Sequence, residues 1–127
     1  MKLRIKGNSL RLRVAPSEVQ HLLRCGGIRE YVQLAANPKA RLTYAVISSL
    51  SGLTTTVAYE LGHITISVPE VQLKQWADSD DIGLYADLAL DEDRTLSVTI
   101  EKDFACLDRS DADNVDTFPN PNLAATC

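Results

Sequence analysis

Residues 2–20 read KLRIKGNSLRLRVAPSEVQ, and residues 56–72 read TVAYELGHITISVPEVQ. Each stretch alternates apolar and polar residues on both sides of a glycine, and then reaches a proline that is closely followed by Glu-Val-Gln. Alternation with a period of two is typical of strands, and a proline before an acidic residue is typical of a helix start. Each stretch therefore predicts a β-hairpin followed by a helix.

Two further strands are predicted after each helix. The first helix should stop at Gly26-Gly27 and the second at the polar run from Asp78 to Asp81. The predicted later strands are Ile28 to Leu34, Arg41 to Ile47, Ile82 to Leu90, and Thr95 to Phe104. The order strand, strand, helix, strand, strand thus occurs twice, at about residues 2–47 and 54–100. We expect an α+β fold in which this duplicated ββαββ unit forms a mostly antiparallel eight-stranded sheet or barrel, with the two helices outside.

Length and composition limit the class of protein. A chain of 127 residues with 45% hydrophobic residues fits a single domain spanning residues 1–127, with an acidic loop and tail at 105–127. No apolar stretch has the length of a membrane span, and the first residues lack the apolar centre of a secretory signal, so we expect a cytoplasmic protein. A net charge of -4 argues against a general nucleic-acid binder.

The first hairpin is predicted to turn at Asn8-Ser9, with apolar side chains on one face and cations on the other. Its predicted register partners are Lys6 with Arg11, Ile5 with Leu12, Arg4 with Arg13 and Leu3 with Val14. The second hairpin is predicted to turn at Gly62-His63 and to pair Tyr59 with Ile66. His63 is then expected to be exposed at the hairpin tip.

The cations of the first hairpin require a counter-charge, because like charges directly opposite each other on a sheet are destabilising by up to about 1 kcal/mol per pair. One source is internal, since Glu101 and Asp103 share one face of the last predicted strand. The other source is a bound phosphate-bearing ligand in a groove or tunnel. The two can coexist. The candidate anion-binding residues are Lys2, Arg4, Lys6, Arg11 and Arg13.

The predicted architecture resembles the CYTH or triphosphate tunnel enzymes, whose eight-stranded barrel is built from a duplicated unit and carries charge inside. That resemblance implies a polar tunnel. A degenerate phosphohydrolase of this kind would hold Mg²⁺ or Mn²⁺ with Glu60, Glu101 and Asp103 beside the cations. The opening strand, however, carries cations where those enzymes carry metal-binding acids, which favours binding over catalysis.

Three motifs resemble a family of small bacterial proteins that has no assigned activity. They are KLRIKGNS at residues 2–9, EKDFACL at 101–107 and FPNP at 118–121. The resemblance covers almost the whole chain and implies a compact domain of bacterial origin.

The C-terminal region offers two weaker candidates. An aspartate cluster could hold Ca²⁺, but its spacing is not that of an EF-hand, which favours a solvated acidic loop; the cluster is Asp108, Asp111, Asp113 and Asp116. Cys106 and Cys127 could form a pair, although reduced thiols are the default in a cytosol. Cys25 is interpreted as a small apolar residue at a helix end.

These observations favour a binding or accessory module with a basic concave site. The expected partner is a phosphate-bearing small molecule or an acidic protein segment, with no nucleic acid and no membrane. The alternatives are the metal-dependent phosphohydrolase and a structural subunit of a larger assembly.

Overall fold

The computed structural model describes residues 1–105 and 114–121. In this described part of the chain, eight strands and two helices follow one another in the order β β α β β, repeated once, which confirms the predicted α+β class. Their bounds are β1 Lys2–Lys6, β2 Ser9–Val14, α1 Pro16–Cys25, β3 Gly27–Gln33, β4 Arg41–Ser49, β5 Thr56–Glu60, β6 His63–Pro69, α2 Glu70–Asp78, β7 Gly83–Ala89 and β8 Thr95–Lys102.

The strands form two separate four-stranded sheets, so the prediction of one eight-stranded sheet or closed barrel is wrong. The first sheet has the order β1-β2-β8-β7 and the second has the order β3-β4-β6-β5. In each sheet two antiparallel hairpins are joined by a parallel inner pair, β2 with β8 and β4 with β6. This parallel pairing replaces the predicted antiparallel meander and leaves each sheet with two outer strands. The described strands therefore do not close into the predicted barrel.

The first hairpin turns one residue earlier than predicted. Lys6 pairs with Ser9, so the turn is Gly7-Asn8, and Gly7 has a φ of +55°. Glycine adopts this left-handed conformation without the steric cost that a β-carbon adds. The observed partners are Lys2 with Arg13, Leu3 with Leu12, Arg4 with Arg11 and Ile5 with Leu10. The shift changes each partner but keeps apolar residues opposite apolar residues, and Lys2 and Arg4 still face cations, whereas Lys6 faces Ser9.

The second hairpin also turns one residue earlier than predicted, at Leu61-Gly62. Glu60 pairs with His63, and Tyr59 pairs with Ile64. Leu61 and Gly62 both have positive φ, +49° and +78°, as a type I′ turn requires. A leucine in this conformation is strained by about 1–2 kcal/mol, because its β-carbon crowds the backbone carbonyl oxygen. His63 is exposed, as predicted, although it lies in β6.

Both helices lie close to their predicted positions and bury apolar residues, although α2 begins at Glu70, directly after Pro69. α1 begins at Pro16 and ends where Gly26, with a φ of +84°, donates its N–H to the carbonyl of Leu22. α2 packs on β4 and β6, and buries Leu73 and Trp76 to 0% and 1% exposure. Cys25, interpreted from sequence as a small apolar residue, is exposed.

The chain divides into two compact units by internal contacts. Unit 1 contains Met1–Val19 and the described residues from Ile82 onward, including the first sheet, and unit 2 contains Gln20–Asp81 with the second sheet. The number of independently folding domains stays a prediction. In the described part of the chain, no helix is long and apolar enough to cross a membrane.

Candidate functional site

The candidate site is the polar face of the first sheet, which carries the five predicted cations and which we call the basic face. Apolar residues of β2 and β8 are buried on one face of this sheet, with Leu12, Val14 and Ile100 at 0 to 1% exposure, whereas Ile5 near the end of β1 is 58% exposed. Because successive side chains on a strand point to opposite faces, this burial directs the cations to the other side of the sheet. The basic face consists of Lys2, Arg4, Lys6, Arg11 and Arg13.

Register partners divide the basic face into three rows that cross the sheet from β1 to β7. Two of these rows contain an acidic residue and the third contains none. The first row is Lys2, Arg13, Glu101 and Gly83; the middle row is Arg4, Arg11, Thr99 and Tyr85; the last row is Lys6, Ser9, Ser97 and Asp87. The middle row therefore combines two cations with two hydroxyl groups.

The internal counter-charge predicted from the sequence is present. Glu101 accepts hydrogen bonds at one carboxylate oxygen, Oε1, from Arg11 Nε at 2.6 Å and Arg13 Nε at 3.1 Å. Lys2 Nζ donates to Asp103 Oδ2 at 2.9 Å. Glu101 and Asp103 are 7% and 5% exposed, so both carboxylates are buried with cationic partners, as buried charges require.

Two cations of the basic face are left over by this pairing. Arg4 and Lys6 are exposed and form no ion pair with any described residue. Arg11 donates to Glu101 through its Nε. Because the Arg11 side chain is 40% exposed, its terminal guanidinium nitrogens remain available as donors. Arg4, Lys6 and Arg11 thus form a cluster of excess positive charge on one part of the sheet.

The strand ends around this cluster are held in place by hydrogen bonds. Asn8, in the turn that follows Lys6, donates from its side chain to the carbonyl of Thr95 at 2.8 Å. Ser97 N–H donates in return to the Asn8 carbonyl at 3.1 Å. At the other end of β1, the amino terminus of Met1 is paired with Glu18. The β1–β2 hairpin is therefore fixed at both ends, which positions its cations.

The three residues predicted to hold a metal ion lie in two different units. Glu101 is in β8 and Asp103 directly follows that strand, both in unit 1, whereas Glu60 is the last residue of β5 in unit 2. Within residues 1–105 and 114–121, no three His, Cys, Asp or Glu side chains are grouped to hold a metal. Metal binding by this set stays a prediction that rests on the sequence alone.

Two residues of the polar face were missed in the sequence analysis. Tyr85 is 70% exposed in the middle row, and Asp87 accepts a hydrogen bond from Ser97 Oγ at 2.9 Å. The signal was present, because Leu84, Ala86 and Leu88 alternate with these two residues. Their position beside β8 depends on sheet order, which alternation does not reveal.

Among the described residues of unit 1, Asp91 has a clearly lowered pKa. Asp91 lies in the turn between β7 and β8, and Arg94 Nε donates to its Oδ2 at 2.7 Å. This hydrogen bond is the largest cause that holds the pKa of Asp91 below its usual value, and backbone N–H groups of Asp93 and Arg94 act in the same direction. The carboxylate stabilises the turn that joins the outer strand to β8.

Several candidates from the C-terminal sequence lie outside the described residues. They are Asp108, Asp111, Asp113, Cys106 and Cys127. Asp116, the described member of the aspartate cluster, accepts hydrogen bonds from the backbone and side chain of Ser17. Phe118 of the FPNP motif forms a bridge with Phe104, and their ring centroids are 5.9 Å apart.

Comparisons with known proteins identify a family but no activity. No curated protein and no solved structure matches the chain. The resemblance to the triphosphate tunnel enzymes is not supported, because the described strands form two open sheets rather than a barrel. A family model does match, the family of unknown function DUF7009, and since it covers residues 1–122 the chain belongs to that family.

Proposed function

We propose that the protein is a binding module whose basic face holds a phosphate-bearing small molecule at Arg4, Lys6 and Arg11. The observation that carries this proposal is the acid-free middle row, in which Arg4 lies directly opposite Arg11. Like charges in this position destabilise a sheet by up to about 1 kcal/mol unless an anion offsets them, and Glu101 from the neighbouring row accepts from Arg11 and Arg13 but forms no ion pair with Arg4. A bound phosphate supplies that anion.

The spacing of the cations suits a ligand with more than one negative charge. Residues on the same face of one strand are about 6.6–6.8 Å apart, which sets the separation of Arg4 from Lys6 at their backbones. Arg4 and Arg11, as partners on antiparallel strands, are about 4.5–5.5 Å apart. The three flexible cationic side chains can therefore converge on a diphosphate, with the Thr99 hydroxyl beside them as a further donor.

Binding without turnover fits the chemistry of the face better than hydrolysis does. The two buried carboxylates among the described residues of unit 1, Glu101 and Asp103, already accept from Lys2, Arg11 and Arg13. A carboxylate that neutralises a cation in this way is a poor general base, because the cation stabilises its charged form. We therefore propose an accessory binding role and not catalysis.

Calorimetric titration at low ionic strength tests this function, with pyrophosphate as the small-molecule probe and a glutamate-rich peptide as the acidic-segment probe. We expect saturable binding of pyrophosphate that weakens as salt is added, because the cations are exposed. Arg4→Gln and Lys6→Gln should each weaken it about tenfold, since each removes a hydrogen bond to a charged group. Arg24→Gln is the matched control, because Arg24 is exposed near the end of α1 and has no ion pair in the described chain.

Two results would contradict the proposal. One is the absence of saturable binding by pyrophosphate. The other is equal weakening in Arg24→Gln and Arg4→Gln, which indicates attraction by net charge and not a site. Preference for the peptide over pyrophosphate assigns the face to an acidic protein partner and overturns the small-molecule assignment.

A further inference from the structure

The tip of the second hairpin carries a residue that both conformation and solvation disfavour. Leu61 has a left-handed backbone with a φ of +49°, and its side chain is 90% exposed. Asn or Gly adopts this turn position without strain, and either would also remove the apolar surface from water. Strain of this kind at an exposed position is a reason to look for a ligand.

Arg41, beside this tip, is oriented by contacts with Tyr31 and Gln33. The Arg41 guanidinium carbon lies 3.9 Å from the centroid of the Tyr31 ring, and Arg41 Nε donates to Gln33 Oε1 at 3.2 Å. Arg41 forms no ion pair with any residue that the structure describes. Its remaining N–H groups are therefore pre-oriented, so that less side-chain freedom is lost when an anion binds.

The turn and the arginine are fixed relative to each other by the backbone. Thr43 N–H donates to the Gly62 carbonyl at 2.8 Å. A β-carbon on Gly62 would lie 2.7 Å from the Arg41 carbonyl oxygen, so glycine permits the close approach of the turn to β4. The turn at Leu61-Gly62 is thus held close to the backbone of Arg41.

A cavity of about 500 Å³ lies between these groups, lined by Pro38, Lys39, Arg41, Leu61 and His63. Small-molecule sites in proteins have volumes of about 300–1,000 Å³ and combine apolar walls with a few polar groups. Here Pro38 and Leu61 supply the apolar wall. Lys39, Arg41 and His63 supply the polar groups of the lining.

We propose that this cavity binds a small organic anion that joins an apolar body to one phosphate or carboxylate group. The anionic group binds Arg41 and Lys39, and the apolar body covers Leu61. All of these residues belong to unit 2, so this site is independent of the basic face in unit 1.

Chemical-shift mapping of the ¹⁵N-labelled full chain tests the proposal, with phenyl phosphate and benzoate as probes and inorganic phosphate as the head group alone. We expect saturable shifts at Lys39, Arg41, Leu61 and His63 with at least one of the two aromatic anions. Inorganic phosphate should bind about tenfold more weakly, because it leaves the apolar wall uncovered. Comparison of phenyl phosphate with benzoate identifies which head group the site takes.

Three variants test the assignment of residues. Arg41→Gln should weaken the preferred aromatic anion about tenfold. Leu61→Asn should weaken it about fivefold but leave inorganic phosphate unchanged, and it keeps the test valid if Arg41→Gln disturbs Tyr31. Arg29→Gln, at an exposed arginine on β3, should have no effect. No saturable shifts with either aromatic anion, or shifts that persist in Arg41→Gln and Leu61→Asn, would overturn the proposal.

Discussion

Replacing Glu101 by glutamine tests how the basic face is held together. Glu101→Gln keeps the shape of the side chain but removes the charge that Arg11 and Arg13 share at 2.6 and 3.1 Å. Lys2, Arg4, Arg11 and Arg13 then face one another with Asp103 as the remaining described acid among their ion pairs. We expect a lower free energy of unfolding.

The magnitude follows from burial. A hydrogen bond to a charged group contributes about 1.5–3 kcal/mol when it is protected from water, and an exposed ion pair contributes about 0–1 kcal/mol. The Glu101 side chain is 9% exposed, but those of Arg11 and Arg13 are 40% and 30% exposed, so each pair lies between these limits. We expect a total loss of about 2 kcal/mol, which corresponds to a fall in Tm of roughly 6–10 °C for a chain of this size.

Thermal and urea unfolding measure this loss, and a double-mutant cycle with Arg11→Gln isolates the contribution of one pair. We expect a coupling energy of about 1 kcal/mol between positions 11 and 101. Added pyrophosphate should raise the Tm of Glu101→Gln more than that of the parent, because the anion replaces the missing carboxylate. Glu92→Gln, in the exposed turn after β7, is the control and should change stability by less than about 0.5 kcal/mol. Unchanged stability of Glu101→Gln together with zero coupling would refute this account of the face.

Three further predictions concern other parts of the fold. Leu61→Asn should raise the free energy of unfolding by about 1 kcal/mol in urea melts, because asparagine relieves the strain of a leucine with a left-handed backbone. Leu53→Asn, at an equally exposed leucine, should not raise it, and equal effects of the two variants would contradict the strain argument. Leu73→Ala opens a cavity on the buried side of α2 and should lower the free energy of unfolding by about 2–5 kcal/mol. Unfolding is followed through the fluorescence of Trp76, the single tryptophan, and a loss below about 1 kcal/mol would show that α2 is poorly packed. The Asp91 carboxyl should titrate in an NMR experiment below its usual midpoint of 3.8. Its contribution to turn stability is present above that pH and should be lost as the pH falls through the lowered pKa. Arg94→Gln should raise the midpoint, and no change in that variant would remove Arg94 as the cause.

Alternation along the chain predicts the face of the sheet on which each residue of the two hairpins lies, and the observed register confirms this part of the prediction. A shift of each hairpin by one residue at the turn changes partners without moving any side chain to the other face. Turn position is harder to predict because it depends on which residues accept positive φ. The glycines of the two turns were visible, but a leucine at +49° runs against its own conformational preference.

Sheet order could not be predicted from the repeat. The parallel pairs β2–β8 and β4–β6 join segments that are distant along the chain, and local periodicity carries no information about such contacts. The same distance limits prediction of the site. The cations of the first hairpin alone predict that acids lie near them. Glu101, 90 residues after Arg11 in the chain, supplies one of these acids. The register of β8 beside β2 places Glu101 opposite Arg13 and leaves Arg4 and Lys6 without an ion pair among the described residues. That register could not be predicted from the sequence.

The most direct test of the basic face as an anion site is a titration with pyrophosphate followed through the side-chain N–H signals of the arginines. The account predicts saturable shifts of the Arg4 and Arg11 Nε–H signals at one common affinity, while the Arg24 and Arg94 signals, on α1 and in the β7–β8 turn, stay in place. Shifts of equal size at all four arginines, or no shift at Arg4, would contradict it.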